Sequence, residues 1–316
     1  MKLTPLSVPI DLAGRVVLVT GGAGDIGSAV AVQAARLGAT VVIADNGTSV
    51  DGVGQDTAVA TDVAKRLAAE SGDRGSIEGR FCDVTDAEQV EELVDDLFAA
   101  HGNVDAVVAA AGTLRTSPVW DTTIDDWRNV LESHATHTYL VGAAACRRWR
   151  ANCAQRAGSP SALITFTAAT GLVGRPDLGV THAAAKGAIA GMTLELAHEM
   201  YPYGVTVNAV NAANVRGRMA RHVGASTTES HDAGDASSPR HAAMLSTYLA
   251  SADAGWITGQ VFRVMGGLIG RYRPWDLAES IEKPGFWTLE ETRFGLRRLF
   301  GAHPEYKALQ GPHREF

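Results

Sequence analysis

Residues Arg15–Thr20 (RVVLVT) form an apolar run that leads directly into Thr20-Gly21-Gly22-Ala23-Gly24-Asp25-Ile26-Gly27. Beyond it, Ile26, Ala29, Val30, Ala34 and Leu37 recur at helical spacing, and Gly38 closes the pattern. A short apolar run followed by turn residues predicts a buried strand, and the spacing after it predicts an amphipathic helix. A glycine-rich turn between the two narrows the choice of fold sharply. Glycines let the main chain come close to a bound pyrophosphate, and a helix N-terminus presents free N–H groups and the positive end of its dipole. A glycine-rich turn anywhere in a chain is weak evidence. Placed after the first strand and before the first helix, it points to a nucleotide.

The alternation continues along the chain. Strands are expected at Thr40–Ala44, Gly75–Phe81, Asp105–Ala110, Ala162–Thr167 and Val205–Val210. Between them lie a helix ending near Glu70, one marked by Val90, Leu93, Val94 and Leu97, and longer ones over Ile124–Cys153 and Thr181–Met200. Strands and helices alternating at this spacing imply a parallel sheet covered on both faces, a doubly wound α/β fold of the Rossmann type. Residues 1–269 are expected to form that domain. Within it, Gly224–Arg240 is poor in apolar residues and reads as a mobile loop. Residues 270–316 carry Trp275, Phe286, Trp287, Phe294 and Phe300, too apolar for simple disorder. They are expected to form an extension packing on the domain or on a partner subunit.

Composition excludes several classes. A net charge of −7 argues against a nucleic-acid surface, and the cluster Arg147, Arg148 and Arg150 reads as a solvated helix face. Three cysteines without CxxC spacing suggest neither a disulfide framework nor a zinc ribbon, and fit a reducing cytoplasm. No uncharged stretch approaches the roughly 18–20 residues of a membrane span. Pro5, Pro9 and Asp11 interrupt the N-terminal residues, so no signal peptide is expected.

Asp45 ends the second strand, where a carboxylate can accept hydrogen bonds from a ribose diol and repel a 2′-phosphate; NAD is therefore expected over NADP. The turn Thr20–Gly27 resembles the glycine motif of the short-chain dehydrogenase/reductase family. Asp83 in CDVTD is similar to that family's adenine-contacting aspartate, and Ala109-Ala110-Ala111-Gly112 stands where its NNAG motif would be. Ala183-Ala184-Ala185-Lys186 ends its YxxxK motif, and Tyr203–Val210 (YGVTVNAV) and Trp256–Gly267 resemble further family segments. The long loop after Asp45 and the GFWTLEE tail are similar to the branch acting on 3-hydroxyacyl-CoA thioesters. The resemblance implies an NAD site lined by Thr20, Gly21, Asp25, Ile26, Gly27, Asp45, Asp83, Val84, Ala111, Gly112 and Lys186. It also implies an oligomer, homomeric or paired with an intact relative, packing the helices Ile124–Cys153 and Thr181–Met200.

The chemistry departs from that family. Its tyrosine exchanges a proton while hydride moves between carbon and nicotinamide, a lysine four residues later lowers the phenol's pKa, and a serine holds the reacting oxygen. Here the lysine is Lys186, but the tyrosine position is His182 and the serine position is Ala168, or Ala169 after a one-residue shift. Thr167 and Thr170 are the nearby hydroxyls, and His134 stands where an asparagine usually holds a relay water. Asp25 adds a negative charge beside the pyrophosphate and is expected to compete with phosphate for the helix N–H groups. Two readings follow: a non-catalytic subunit, or an active dehydrogenase in which His182 is the base, tuned by Lys186, with Thr167 or Thr170 on the oxygen. An acyl thioester is a candidate substrate. A metal shared by His134 and His182 lacks a third ligand at recognisable spacing, and His134 and His137, three apart, read as ordinary surface or cap residues.

Overall fold

The computed structural model describes residues 9–155, 159–174, 178–224, 235–273, 275–277 and 279–299. Two compact units are distinguished, Met1–Tyr272 and Arg273–Phe316.

In the first unit the strands are β1 (Val16–Thr20), β2 (Thr40–Asp45), β3 (Ser76–Phe81), β4 (Ala106–Ala109), β5 (Ser161–Thr167), β6 (Val205–Ala212), β7 (Gln260–Met265) and β8 (Leu268–Arg271). They form one sheet in the order β3-β2-β1-β4-β5-β6-β7-β8. Every neighbour pair is parallel except β7–β8, which runs antiparallel from Phe262↔Arg271 to Met265↔Leu268. The helices are α1 (Asp25–Arg36), α2 (Val59–Ser71), α3 (Ala87–His101), α4 (Ile124–Leu131), α5 (His137–Ala151), α6 (Ala169–Val173), α7 (Gly179–Met200), α8 (Arg218–His222) and α9 (Arg240–Leu249).

Alternate strand residues feed two separate cores, as the pleat requires. Val17, Val19, Ile43, Val108, Ile164 and Val210 pack with Val30, Ala34, Leu245 and Leu249 from α1 and α9 on one face. Leu18, Val42, Val107, Leu163 and Val207 pack with Leu93, Leu97, Val141 and Trp149 from α3 and α5 on the other. The indole of Trp149 is fully buried and donates to the Val104 carbonyl at 2.6 Å. With both faces covered, the central strands β1, β4 and β5 are buried along their whole length, whereas the edge strand β3 is largely exposed.

The chain leaves β1 toward β2 on one side and β4 on the other, so the strand order reverses there. A crevice opens beyond the carboxyl ends at such a point. The long helix expected from Ile124 is broken into α4 and α5 by a π-helical turn, Glu132–Thr136. The antiparallel β8 was not expected. Of the loop expected over Gly224–Arg240, residues 225–234 lie outside those described.

In the second unit, α10 (Leu289–Leu299) follows a turn in which Lys283 pairs with Glu291 at 2.6 Å and Thr288 accepts the Glu291 N–H at 3.2 Å.

Candidate cofactor and active-site cleft

The glycine-rich turn is packed so closely that side chains are excluded. Gly21 has φ +66°, and a Cβ on it would lie 2.5 Å from the Ala111 Cα. A Cβ on Gly27 would meet the Gly21 carbonyl oxygen at 2.3 Å. The strands β1 and β4 thus bring the turn onto Ala111, on the opposite side of the crevice. Asp45 braces it: one carboxylate oxygen accepts from the Ala23 N–H at 3.0 Å and the other from the Gly47 N–H at 2.9 Å. Each oxygen retains a lone pair for a ribose hydroxyl.

No side chain caps α1, whose N-cap is Gly24. The expectation that Asp25 occupies the N–H groups of its own helix is therefore corrected. Its carboxylate instead accepts the main-chain N–H of Arg218 at 2.8 Å. The reason is steric: Gly217 leaves the space that a Cβ would fill, 2.3 Å from the Asp25 carboxylate. The first-turn N–H groups of Asp25, Ile26 and Gly27 have no intrahelical acceptor and are not capped by a side chain. A phosphate would fit there.

Other expected cofactor residues are arranged differently. The Thr20 hydroxyl is buried and turned inward, 2.7 Å from His137 Nε2, so its side chain does not line the cleft. Val84 is also buried, its side chain part of the core. Asp83 accepts from the Thr85 N–H and hydroxyl with one oxygen and from the Gln55 amide, at 3.0 Å, with the other. Gln55 ends the polar loop after β2, whose tip reaches the far side of the crevice: the Leu114 N–H donates to the Val50 carbonyl at 2.7 Å, and Arg115 Nε to that of Asp51 at 2.7 Å.

The residues at the family's chemical positions bond to the protein itself. Lys186 Nζ donates to the Phe166 carbonyl at 2.8 Å. The Thr167 hydroxyl donates to the Lys186 carbonyl at 2.7 Å, leaving only its lone pairs for a reacting oxygen. Thr170 Oγ1 lies 3.2 Å from His182 Nδ1, and Ala168 is the N-cap of α6. The His134 ring meets that of His182 edge-on with centroids 5.4 Å apart. Its Nε2 is 2.8 Å from the Thr113 carbonyl oxygen, and a Cβ on Gly112 would meet the ring at 2.0 Å. The imidazole thus fills the space above Gly112, a cofactor-lining position in the sequence reading.

His134 stands beside His182, as two residues facing one cleft would, and neither it nor His137 is a surface or cap residue; they are 2% and 0% exposed. Residues three apart share a helix face, so His137 is buried together with His134. The Nδ1 atoms of both rings are buried without a hydrogen-bond partner among the described residues. Burial pushes His137 down to about 3, with the Lys186 charge adding to it, and drives His134 well below its ordinary value. His182 is held at about 3, first by burial and second by the Lys186 charge, the expected direction for that neighbour. Burial alone lowers Lys186 to about 7. His137 is the member of this cluster that the sequence did not assign to the site, although its i,i+3 spacing from His134 was the available signal.

Among the described residues, no three His, Cys, Asp or Glu side chains converge as metal ligands, and no helix is long and apolar enough to cross a membrane. Cys82, Cys146 and Cys153 are free, and burial raises the first two thiols to about 12.

Residues 21–269 match the family profile described as Enoyl-(Acyl carrier protein) reductase. The chain belongs to the short-chain dehydrogenase/reductase family, an oxidoreductase family whose members generally bind NAD(P). It is similar to the hydroxyacyl-CoA dehydrogenase ChsB1 of Mycobacterium tuberculosis, 30% identical across 93% of this chain and 92% of that one. It is also similar to the 3-oxoacyl-[acyl-carrier-protein] reductase FabG of Vibrio harveyi, 29% identical across 82% of this chain and 99% of the relative. A crystal structure of a short chain dehydrogenase from Mycobacterium avium superposes with a TM-score of 0.77 at 30% identity, covering 92% and 95% of the two chains.

Proposed function

We propose that this chain is a non-catalytic member of the family that keeps a dinucleotide site and serves as a subunit, beside a second copy or an intact relative. The observation that carries the reading is the self-bonded chemical centre: Lys186 on the Phe166 carbonyl and Thr167 on the Lys186 carbonyl, with His134 seated over Gly112. NAD(H) would be held by Asp45, Gly21, Ile26, Gly27 and Asp83, and in an active member of the family it would supply or accept a hydride. Asp45 favours NAD over NADP through repulsion of a 2′-phosphate. Exposed Ile124 on α4, Tyr139 on α5 and Val180 on α7 give the apolar surface expected where the family's long helices pair. Three free cysteines agree with a reducing, cytoplasmic setting.

A second reading keeps the chain active as an NAD-dependent dehydrogenase, with acyl thioesters as substrates and His182 as the base. It is favoured by one observation: Thr170 engages only Nδ1 of a neutral imidazole, leaving Nε2 for a substrate proton. Magnitude weighs against it. A base at about 3 lies roughly four units below a neutral working pH, and general-base efficiency falls with that gap.

Calorimetric titration with NADH, with NADP as control, followed by turnover assays on 3-hydroxyacyl thioesters, separates the readings. Binding of NADH without turnover is the expected result. Sustained turnover that disappears in His182→Gln would replace the first reading with the second.

A further inference from the structure

We infer that Arg218 is a diphosphate-binding residue, held over the glycine-rich turn by a latch formed from Asp25 and Gly217. The inference rests on the dinucleotide site proposed above and assigns it a contact from the opposite wall of the cleft. Three features place Arg218 there. Its main-chain N–H donates to the Asp25 carboxylate at 2.8 Å, tying the start of α8 to the start of α1. Gly217 is buried and makes room for that contact, since any Cβ would clash with the carboxylate at 2.3 Å. The guanidinium lies beside the turn: a Cβ on Gly24 would sit 3.7 Å from Arg218 Nη2.

The charge arrangement explains how the site tolerates an acidic residue beside a diphosphate. A carboxylate next to a dianionic ligand opposes binding when it points at the ligand. Here Asp25 is spent on a main-chain N–H and in exchange brings in a guanidinium, which binds phosphate through planar, paired donors. The uncapped N–H groups of Ile26 and Gly27 would then face the same phosphates as Arg218. Asp25 is thus a positioning residue and Arg218 a ligand-binding one.

The test is calorimetry on the full chain with NADH, adenosine diphosphate and adenosine as probes. Arg218→Ala is expected to weaken NADH and adenosine diphosphate about tenfold at low salt, leave adenosine unchanged and flatten the salt dependence. Asp25→Ala is expected to weaken both diphosphates although it removes a negative charge, whereas Asp25→Asn, which keeps an acceptor for the Arg218 N–H, retains wild-type affinity or exceeds it. Thermal melts within a few degrees of wild type establish that the variants fold. Arg218→Ala binding as wild type does, or Asp25→Ala binding more tightly, overturns the inference and leaves the dinucleotide site standing. Wild-type protein that binds neither NADH nor adenosine diphosphate at millimolar concentration overturns both.

Discussion

Mild acid should destabilise this protein in a pH range where most carboxylates remain ionised. His137 and His182 titrate at about 3 in the folded chain, against an ordinary 6.5 in the unfolded one. Between those values the unfolded state binds more protons, so stability is complete above pH 6.5 and falls as the pH drops toward 3. Each imidazole then loses about 1.4 kcal/mol per pH unit, or about 2 kcal/mol at pH 5. Together the two remove about 4 kcal/mol, and His134, lowered in the same sense, adds to the loss. Domain stabilities are about 5–15 kcal/mol, so this is a large share. It corresponds to a fall of roughly 10 °C in Tm between pH 7 and pH 5. Thermal or urea melts at pH 6.5, 6.0, 5.5 and 5.0 measure it, in a window above the range where paired carboxylates protonate. His137→Gln and His182→Gln should each remove one histidine's share of the slope. A wild-type stability that stays flat from pH 6.5 to 5, or a slope unaltered in the double variant, refutes the assignment of buried, neutral imidazoles.

Lys186 acts at the other end of the scale. Its folded value of about 7 lies below the ordinary 10.5, so stability rises as the pH increases from 7 toward 10.5, and Lys186→Met should abolish that rise in alkaline melts. Gly21→Ala, forced to φ +66° with its Cβ 2.5 Å from Ala111, should cost about 3 kcal/mol or more, read as a lowered urea midpoint with an unchanged slope. Rebuilding the family's side chains with His182→Tyr and Ala168→Ser should leave turnover undetectable while His134 covers Gly112. Adding His134→Asn should open the space and give measurable NADH oxidation, and turnover in the double variant alone would show that the His134 ring is no obstacle.

Apolar strands at regular spacing, a glycine turn after the first of them, and the carboxylate of Asp45 were enough to define the fold and its crevice. Those features are local: an apolar run covered on both faces, and glycines where no side chain fits, are written in consecutive residues. The replacement at His182 was equally legible, because it depends on residue identity four positions before Lys186, and those at Ala168 and His134 followed from their places relative to the strands and helices around them. The directions in which side chains point were not. Asp25 has the same neighbours in sequence whether it caps its own helix or reaches Arg218, and the outcome was decided by the space at Gly217, distant in the chain. His137, read as a surface or cap residue, is buried against Thr20 from the first strand, a partner that its neighbours in sequence do not reveal. Lys186 could have faced a ribose, yet its ammonium lies on the Phe166 carbonyl of the neighbouring strand. In each case the deciding partner is remote in sequence, so local pattern carries no record of it; only packing selects among rotamers that the sequence leaves equally open.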